Sequence, residues 1–116
     1  MRISMVTLLS TLALTAVGCG GSIPPPNDEW AAAQSDVGAA NAGGAPGVPD
    51  AKLHLQLSEE DLQKSKALID KDNSRAASLI AVARVEAQLA LKLAKSAQAQ
   101  QALREAQAEL QKTKGN

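Results

Sequence analysis

The longest stretch of this chain without glycine or proline runs from Asp50 to Lys114, which is 65 of its 116 residues. Glycine and proline interrupt helices, and a segment that lacks both and is rich in Ala, Leu, Gln, Lys and Glu is typical of long α-helices. No run of alternating β-branched and aromatic residues, the pattern of a strand, occurs in it. The stretch therefore predicts an all-α fold, with room for one small domain.

The composition argues against several classes of function. Twelve basic and twelve acidic residues give a net charge of zero, so we do not expect a nucleic-acid binder. One His, one Cys and one Trp can barely line an active site. We therefore predict no enzyme, no cofactor and no metal site. We interpret His54 as a surface or packed residue, and Glu59-Glu60-Asp61 as part of a solvated helix face.

Residues 1–18 have the pattern of a secretory signal peptide. Met1-Arg2 supplies a positive start, and the segment from Ile3 to Val17 is uncharged and mostly apolar. That segment is shorter than the roughly 20 residues that a membrane-spanning helix needs. We therefore predict that residues 1–18 are removed from the mature protein. The alternative is a first helix that stays in the membrane as an anchor.

The segment Ala16-Val17-Gly18-Cys19 resembles the processing box of bacterial lipoproteins. The resemblance implies cleavage between Gly18 and Cys19 and attachment of acyl chains to Cys19, although Ala16 stands where Leu is usual. The alternatives are a free thiol or half of a disulfide, although a single Cys cannot form an intramolecular one. By the sorting rule of enterobacterial lipoproteins, Gly20 in place of Asp favours the outer membrane. Several acyl chains are enough for stable anchoring.

The mature chain is predicted to be a tether followed by a helical domain over residues 28–113. Residues 19–27 form the tether, in which three consecutive prolines favour a polyproline II spacer with a reach of about 25 Å. The first helix is predicted over residues 28–42, with Asn27 as its N-cap. Gly43-Gly44 is expected to end this helix.

The second and third helices are predicted over residues 49–70 and 74–112, since each carries a seam at heptad spacing. The seam of the second helix consists of Ala51, Leu55, Ser58, Leu62, Ser65 and Ile69. The seam of the third consists of Ala76, Ile80, Ala83, Ala87, Ala90, Ala94 and Ala97. Small seam residues let helix axes approach closely. The predicted fold is an antiparallel three-helix bundle or hairpin with a long, Ala-rich, coiled-coil-like third helix.

The heptad phase slips by two residues after Ala97. A new stripe then consists of Ala99, Leu103, Ala106 and Leu110. A break in phase often marks a change of partner, and a domain with so few large apolar residues usually needs extra stabilisation. We predict that this stripe is a partner surface, for self-association or for another protein.

The predicted topology gives the third helix a direction. In an up-down-up bundle it starts at the lipid end and outruns the second helix, so that residues 96–116 project away from the membrane. Residues 28–72 carry a net charge of −5, and residues 73–116 carry +4. We interpret this asymmetry as complementary helices within one bundle. The alternative is a basic arm for an anionic envelope polymer.

Several segments together resemble the domain-of-unknown-function 4398 family of bacterial envelope lipoproteins, and the sequence also resembles myxobacterial lipoproteins. These segments are Trp30-Ala31-Ala32-Ala33 with Val37 and Ala40, the Gly44-Ala45-Pro46 connector, Ala51 with Leu55 and Leu62, the Lys71-Asp72-Asn73 turn, and the Ala76, Ala83, Ala87, Ala90 and Ala94 positions. The resemblance covers Asp28 to Ala97. Many longer members carry a peptidoglycan-binding domain after the last helix, which this sequence does not show, so peptidoglycan contact stays open. The resemblance implies a setting in the envelope and no mechanism.

The sequence thus predicts a non-enzymatic, lipid-anchored protein of the bacterial outer membrane that faces the periplasm as a helical structural or adaptor module. Its expected partners are the membrane, through Cys19, and a protein or second copy, through the third helix. The first alternative is an amphipathic helical module that acts at the membrane surface. The second is a soluble secreted interaction protein.

Overall fold

The computed structural model describes residues 22–115, so the predicted signal peptide, Gly18 and Cys19 lie outside the described residues. The described residues form helices and no strand, which confirms the predicted all-α class. The elements are α1 (Asn27–Ala42), a short 3-10 helix (Ala45–Gly47), α2 (Pro49–Leu68) and α3 (Asn73–Lys114). The predicted helix bounds differ from these by two residues or fewer, the usual uncertainty at frayed ends.

The three helices run up, down and up, and α3 contacts both of the others. Ser58 in α2 donates through Oγ to the carbonyl of Ala83, 2.7 Å away, within an antiparallel α2–α3 pair. On the α1 side, Arg84 Nε donates to Asp36 Oδ2 at 2.9 Å. Further along both helices, Gln98 Nε2 donates to the carbonyl of Gly43 at 2.9 Å. The residue numbers of the contacting partners increase together along α1 and α3, so these two helices are parallel.

The core consists mostly of alanine, and its residues in α2 and α3 lie on the predicted heptad seams. Its buried apolar residues are Ala33, Ala40, Ala45, Ala51, Leu55, Leu62, Ala76, Ile80, Ala83, Ala87, Ala90 and Ala94. Ser58 and Ser65 are also fully buried, and their hydroxyls donate to the carbonyls of Ala83 and Leu62. Because buried hydroxyls that keep a hydrogen bond avoid a desolvation penalty, small polar residues fit this seam as well as alanine does.

Both predicted seams end earlier than the sequence indicated. Ile69 was expected in the second helix, but α2 ends at Leu68 and Ile69 is only partly buried. The cause is the turn that follows, in which Asp70 has φ of +68° and its N–H donates to Asn73 Oδ1 at 2.8 Å. Ala97 is also only partly buried, since it lies level with the turn where α1 ends.

The helix starts differ in how they are capped. Asn27 is the first residue of α1 rather than its N-cap; Pro26 takes that position, without a side-chain hydrogen bond. The expected N-cap role of Asn27 was therefore wrong. Asp72 caps α3, because its Oδ1 accepts from the N–H of Arg75 at 3.0 Å.

The turn after α1 favours glycine at two positions. Gly44 has φ of +89°, a conformation that strains residues with a Cβ atom. A Cβ atom on Gly43 would collide with Leu91 Cδ1 of α3. The turn can therefore pack directly against α3. Beyond the level of this turn, the described residues of α3 are exposed.

Candidate interaction surface

The last third of α3 extends beyond the bundle. Residues 98–115 are all exposed. Within this range, only Gln98 forms a hydrogen bond to another element. We call residues 99–114 the free end of α3. At 1.5 Å per residue it is about 24 Å long. The prediction that this part of the chain projects from the bundle agrees with these positions.

The predicted partner stripe lies along the free end. Ala99, Leu103, Ala106 and Leu110 are exposed. The polar side chains nearby bond within the helix: Gln101 Nε2 donates to Glu105 Oε1 at 2.9 Å, and Arg104 Nε donates to the carbonyl of Gln100 at 3.3 Å. The four stripe residues therefore form an apolar strip between polar side chains that bond to their own helix.

The phase slip decides which way the stripe faces. Residues of an α-helix are about 100° apart, so Ala99 is about 200° around the axis from Ala97. The stripe therefore continues the side of α3 that faces away from α1 and α2. We call this side the back of α3 and the side that faces the bundle core its front. The predicted partner surface is therefore part of the back of α3.

On the back of α3 the same spacing continues into the bundle half. Counting back from Ala99 by three and four residues leads through polar Ser96 and Lys92 to Leu89, Val85 and Val82. We call the whole series the back seam; it consists of Val82, Val85, Leu89, Lys92, Ser96, Ala99, Leu103, Ala106 and Leu110. Its five large aliphatic residues are between 37% and 64% exposed. Sequence reasoning missed the first half of this seam because Lys92 and Ser96 interrupt it.

The chain enters the bundle at the opposite end. Asn73 Nδ2, at the start of α3, donates to the carbonyl of Ile23 at 2.8 Å. Pro26 is buried, and the N–H of Asn27 donates to the carbonyl of Pro25 at 2.9 Å, which makes an inverse γ-turn with Pro26 at φ −81° and ψ 56°. The end of the predicted tether is thus bound to the bundle rather than extended as a spacer. This contact shortens the reach that three prolines suggested.

Among the described residues, one hydrogen bond between two side chains joins α2 to α3. His54 Nδ1 and Glu86 Oε2 share a hydrogen bond of 2.5 Å between α2 and α3. No group of three or more His, Cys, Asp or Glu side chains within residues 22–115 is arranged to hold a metal ion. His54 thus joins two helices, as a packed histidine does.

A groove of about 320 Å³ lies between α1 and α2. It is lined by Trp30, Gln34, Val37, Glu59, Leu62, Gln63 and Lys66. Trp30 Nε1 donates to the carbonyl of Leu62 at 3.3 Å, and the Lys66 ammonium lies 5.2 Å from the centre of the indole ring. The ring also packs beside the cluster of Ala33, Leu62, Ile80 and Ala83. Trp30 is therefore a packing anchor for the first turn of α1.

Part of the charge difference between residues 28–72 and 73–116 is paired inside the bundle. Asp36 of the acidic half accepts from Arg84 of the basic half at 2.9 Å, and Gln88 Nε2 donates to the same oxygen at 3.3 Å. Asp36 and Arg84 are partly exposed, so the pair contributes modestly to stability. It orients α1 on α3 and leaves the back of α3 uncovered.

Among residues 22–115, no helix combines the length and the apolar character that crossing a membrane requires. No protein-family model, curated protein or solved structure matches the chain. The function is therefore inferred from the sequence pattern and from the geometry of the two ends of the bundle.

Proposed function

We propose that this chain is a non-enzymatic, lipid-anchored protein of the bacterial envelope. Acyl chains on Cys19 hold it on the periplasmic side of the outer membrane, and its helical domain serves as a structural adaptor. The lipoprotein-like segment that ends in Cys19 supports the anchor. The scarcity of catalytic residue types supports a binding role over a chemical one. Membership of the domain-of-unknown-function 4398 family is part of the same proposal.

One observation carries the adaptor role: the chain enters at one end of the bundle and α3 leaves at the other. The contact between Asn73 and Ile23 marks the first end, and the contact between Gln98 and Gly43 marks the second. Cys19 lies four residues before Ile23, so an extended chain holds it within about 14 Å of the first end. An anchor at Cys19 would thus keep the start of α3 near the lipid and leave the free end accessible to a partner.

The anchor is tested by intact-mass spectrometry of the protein extracted from membranes. We expect a mass equal to residues 19–116 plus acyl chains. The Cys19→Ser variant should lose the acyl mass and retain residues 1–18, because its processing site is gone. An unmodified mass for the natural chain, or cleavage at another bond, would contradict the anchor.

The adaptor role is tested by photo-crosslinking in cells. A photoreactive residue is placed at Leu103 on the free end, or at Leu53 on α2; the two side chains are similarly exposed, at 59% and 55%. We expect protein crosslinks at position 103 and few at position 53. Equal yields at both positions would argue against an adaptor surface on α3. Crosslinks to lipid from position 103 would instead favour the membrane-surface alternative.

A further inference from the structure

We infer that the back seam of α3 is covered by the back seam of a second copy of this chain, in antiparallel orientation. In this pairing the free end of each α3 lies along the back of the other copy's bundle. Val85 lies opposite the partner's Leu110, and Leu89 lies opposite the partner's Ala106. The inference deepens the proposed adaptor role by naming the partner. It rests on the proposed function only for the location of the dimer at the membrane.

The first support is the distribution of exposed apolar residues. Of the eight large hydrophobic residues that are exposed in residues 22–115, five lie on the back seam; the other three are Ile23, Leu53 and Leu57. Scattered exposed aliphatic residues are ordinary on a protein surface. Five that follow one heptad repeat along nearly thirty residues of one helix form the seam of a coiled coil.

The second support is the packing of the layers nearest the two-fold axis. The bundle half presents Val82, Val85 and Leu89, while the free half alternates Ala99, Leu103, Ala106 and Leu110. Antiparallel pairing places small residues opposite large ones in the Leu89 layer and brings Ser96 against the partner's Ala99 at the two-fold axis. Alternation of large and small residues across an interface allows close packing without voids.

The third support is electrostatic and fixes the orientation. In a parallel, in-register pair, Lys92 would face the partner's Lys92 inside the seam, which places two like charges together away from water. In the antiparallel pair, Lys92 faces the partner's Leu103, so its methylene stem packs there while the ammonium reaches solvent. Beside the seam, Lys95 faces the partner's Ala102 and Gln88 faces the partner's Glu109. No like charges oppose one another in these layers.

The bundle leaves room for this arrangement. α1 and α2 occupy the front of α3, so two copies can pair back to back with their bundles on the outside. About 25 residues of α3 separate each Asn73 from the two-fold axis, so the two points of chain entry lie roughly 70 Å apart. With the proposed lipid attachment, the dimer becomes a linker that holds two membrane anchors at its opposite ends.

The dimer is tested by analytical ultracentrifugation of the full chain carrying Cys19→Ser, in density-matched detergent. This background removes the acyl chains from the measurement. We expect a dimer at micromolar concentration. Val85→Lys and Leu103→Lys should each weaken it about tenfold or more, because Val85→Lys places a charge opposite Leu110 in two layers of the dimer and Leu103→Lys places a second lysine opposite Lys92 in two others. Leu53→Lys, at a similarly exposed position outside the seam, is the matched control and should leave the dimer unchanged.

The orientation is tested with single cysteines at Val85 and Leu110 in the same Cys19→Ser background. With a short thiol crosslinker, we expect a covalent dimer when the Val85→Cys and Leu110→Cys chains are mixed, and little from either chain alone. Crosslinking of each chain with itself would overturn the antiparallel arrangement. A strict monomer, or a dimer that Val85→Lys and Leu103→Lys leave intact, would overturn the inference. Neither result depends on the intact mass of the natural chain, so the anchor and the dimer can fail separately.

Discussion

The two halves of α3 both contain alanine throughout but have different neighbours. From Ala76 to Ala94 the helix buries an alanine seam against α1 and α2. From Ala99 onward the described residues are all exposed. Isolated helices of about 12–15 residues are marginal in water even when rich in alanine. The first half is therefore stabilised by packing, whereas the free end depends on helix propensity, on bonds within the helix, and on whatever covers its stripe.

The comparison also explains why the front and the back of α3 have different residues. Alanine on the front lets three helices pack closely, although each buried side chain contributes little area. The back seam carries valine and leucine at all three of its apolar positions in the bundle half and at alternate positions in the free end. Larger side chains bury more area per layer, which a two-helix contact with few layers needs.

The largest expected effect comes from filling the alanine core. Ala90 is fully buried beside Ala40, Ala51 and Leu55. Ala90→Leu should lower the free energy of unfolding by about 3 kcal/mol, because a larger side chain forces the helices apart. Ala108→Leu, on the exposed free end, should change it by less than about 0.5 kcal/mol. Urea unfolding of both variants measures the difference, and equal effects would contradict the division of α3 into two halves.

The next largest loss of stability is expected at the turn after α1, which lies where the packed half of α3 ends. Gly44→Ala should cost about 1–2 kcal/mol, because Gly44 has φ of +89° and a Cβ atom there would lie 2.8 Å from Gln98 Nε2. Gly47→Ala is the control, since its Cβ atom would meet nothing within 4 Å. Thermal unfolding of the two variants gives the comparison; a Gly44→Ala protein as stable as the Gly47→Ala protein would show that the turn tolerates a side chain.

The two ends of α3 should respond differently to the loss of one side-chain hydrogen bond. Asp72→Ala removes the N-cap of the supported end and should cost about 1 kcal/mol. Thr113→Ala removes the bond from Thr113 Oγ1 to the carbonyl of Leu110 at the free end. It should cost almost nothing in dilute solution, because alanine also has the higher helix propensity. A loss at Thr113 as large as that at Asp72 would mean that the free end unfolds together with the bundle.

The smallest effect should come from the ion pair between α1 and α3. Arg84→Gln should cost about 0.5 kcal/mol and reduce the salt dependence of unfolding, since the pair is partly exposed. Arg104→Gln on the free end is the matched control, and the salt dependence should be unchanged there. Chemical unfolding at low and high salt measures both. A salt dependence that survives Arg84→Gln would show that Asp36 does not depend on this partner.

Much of the fold could be predicted because the sequence of the bundle is regular. The absence of glycine and proline between Asp50 and Lys114, together with heptad spacing, located α2, α3 and their buried faces. The docked end of the tether could not be predicted, since it depends on a hydrogen bond between Asn73 and a carbonyl 50 residues earlier. The pairs Asp36–Arg84 and His54–Glu86 likewise depend on how three helices are rotated against one another.

The candidate surface was predicted only in part. Ala99, Leu103, Ala106 and Leu110 stood out because the heptad phase changes there. Val82, Val85 and Leu89 were not predicted to be part of it, because Lys92 and Ser96 interrupt the apolar spacing. Their exposure places them on the back of the same helix, in line with the predicted stripe.

The central claim is that the free end of α3 is stabilised by a second copy, whereas the first half is stabilised by its own bundle. Hydrogen exchange of the full chain at nanomolar and micromolar concentrations tests this most directly. We predict that amides of residues 76–94 are protected at both concentrations, and that amides of residues 99–113 become protected only at the higher one. Equal protection of the free end at both concentrations would contradict the claim.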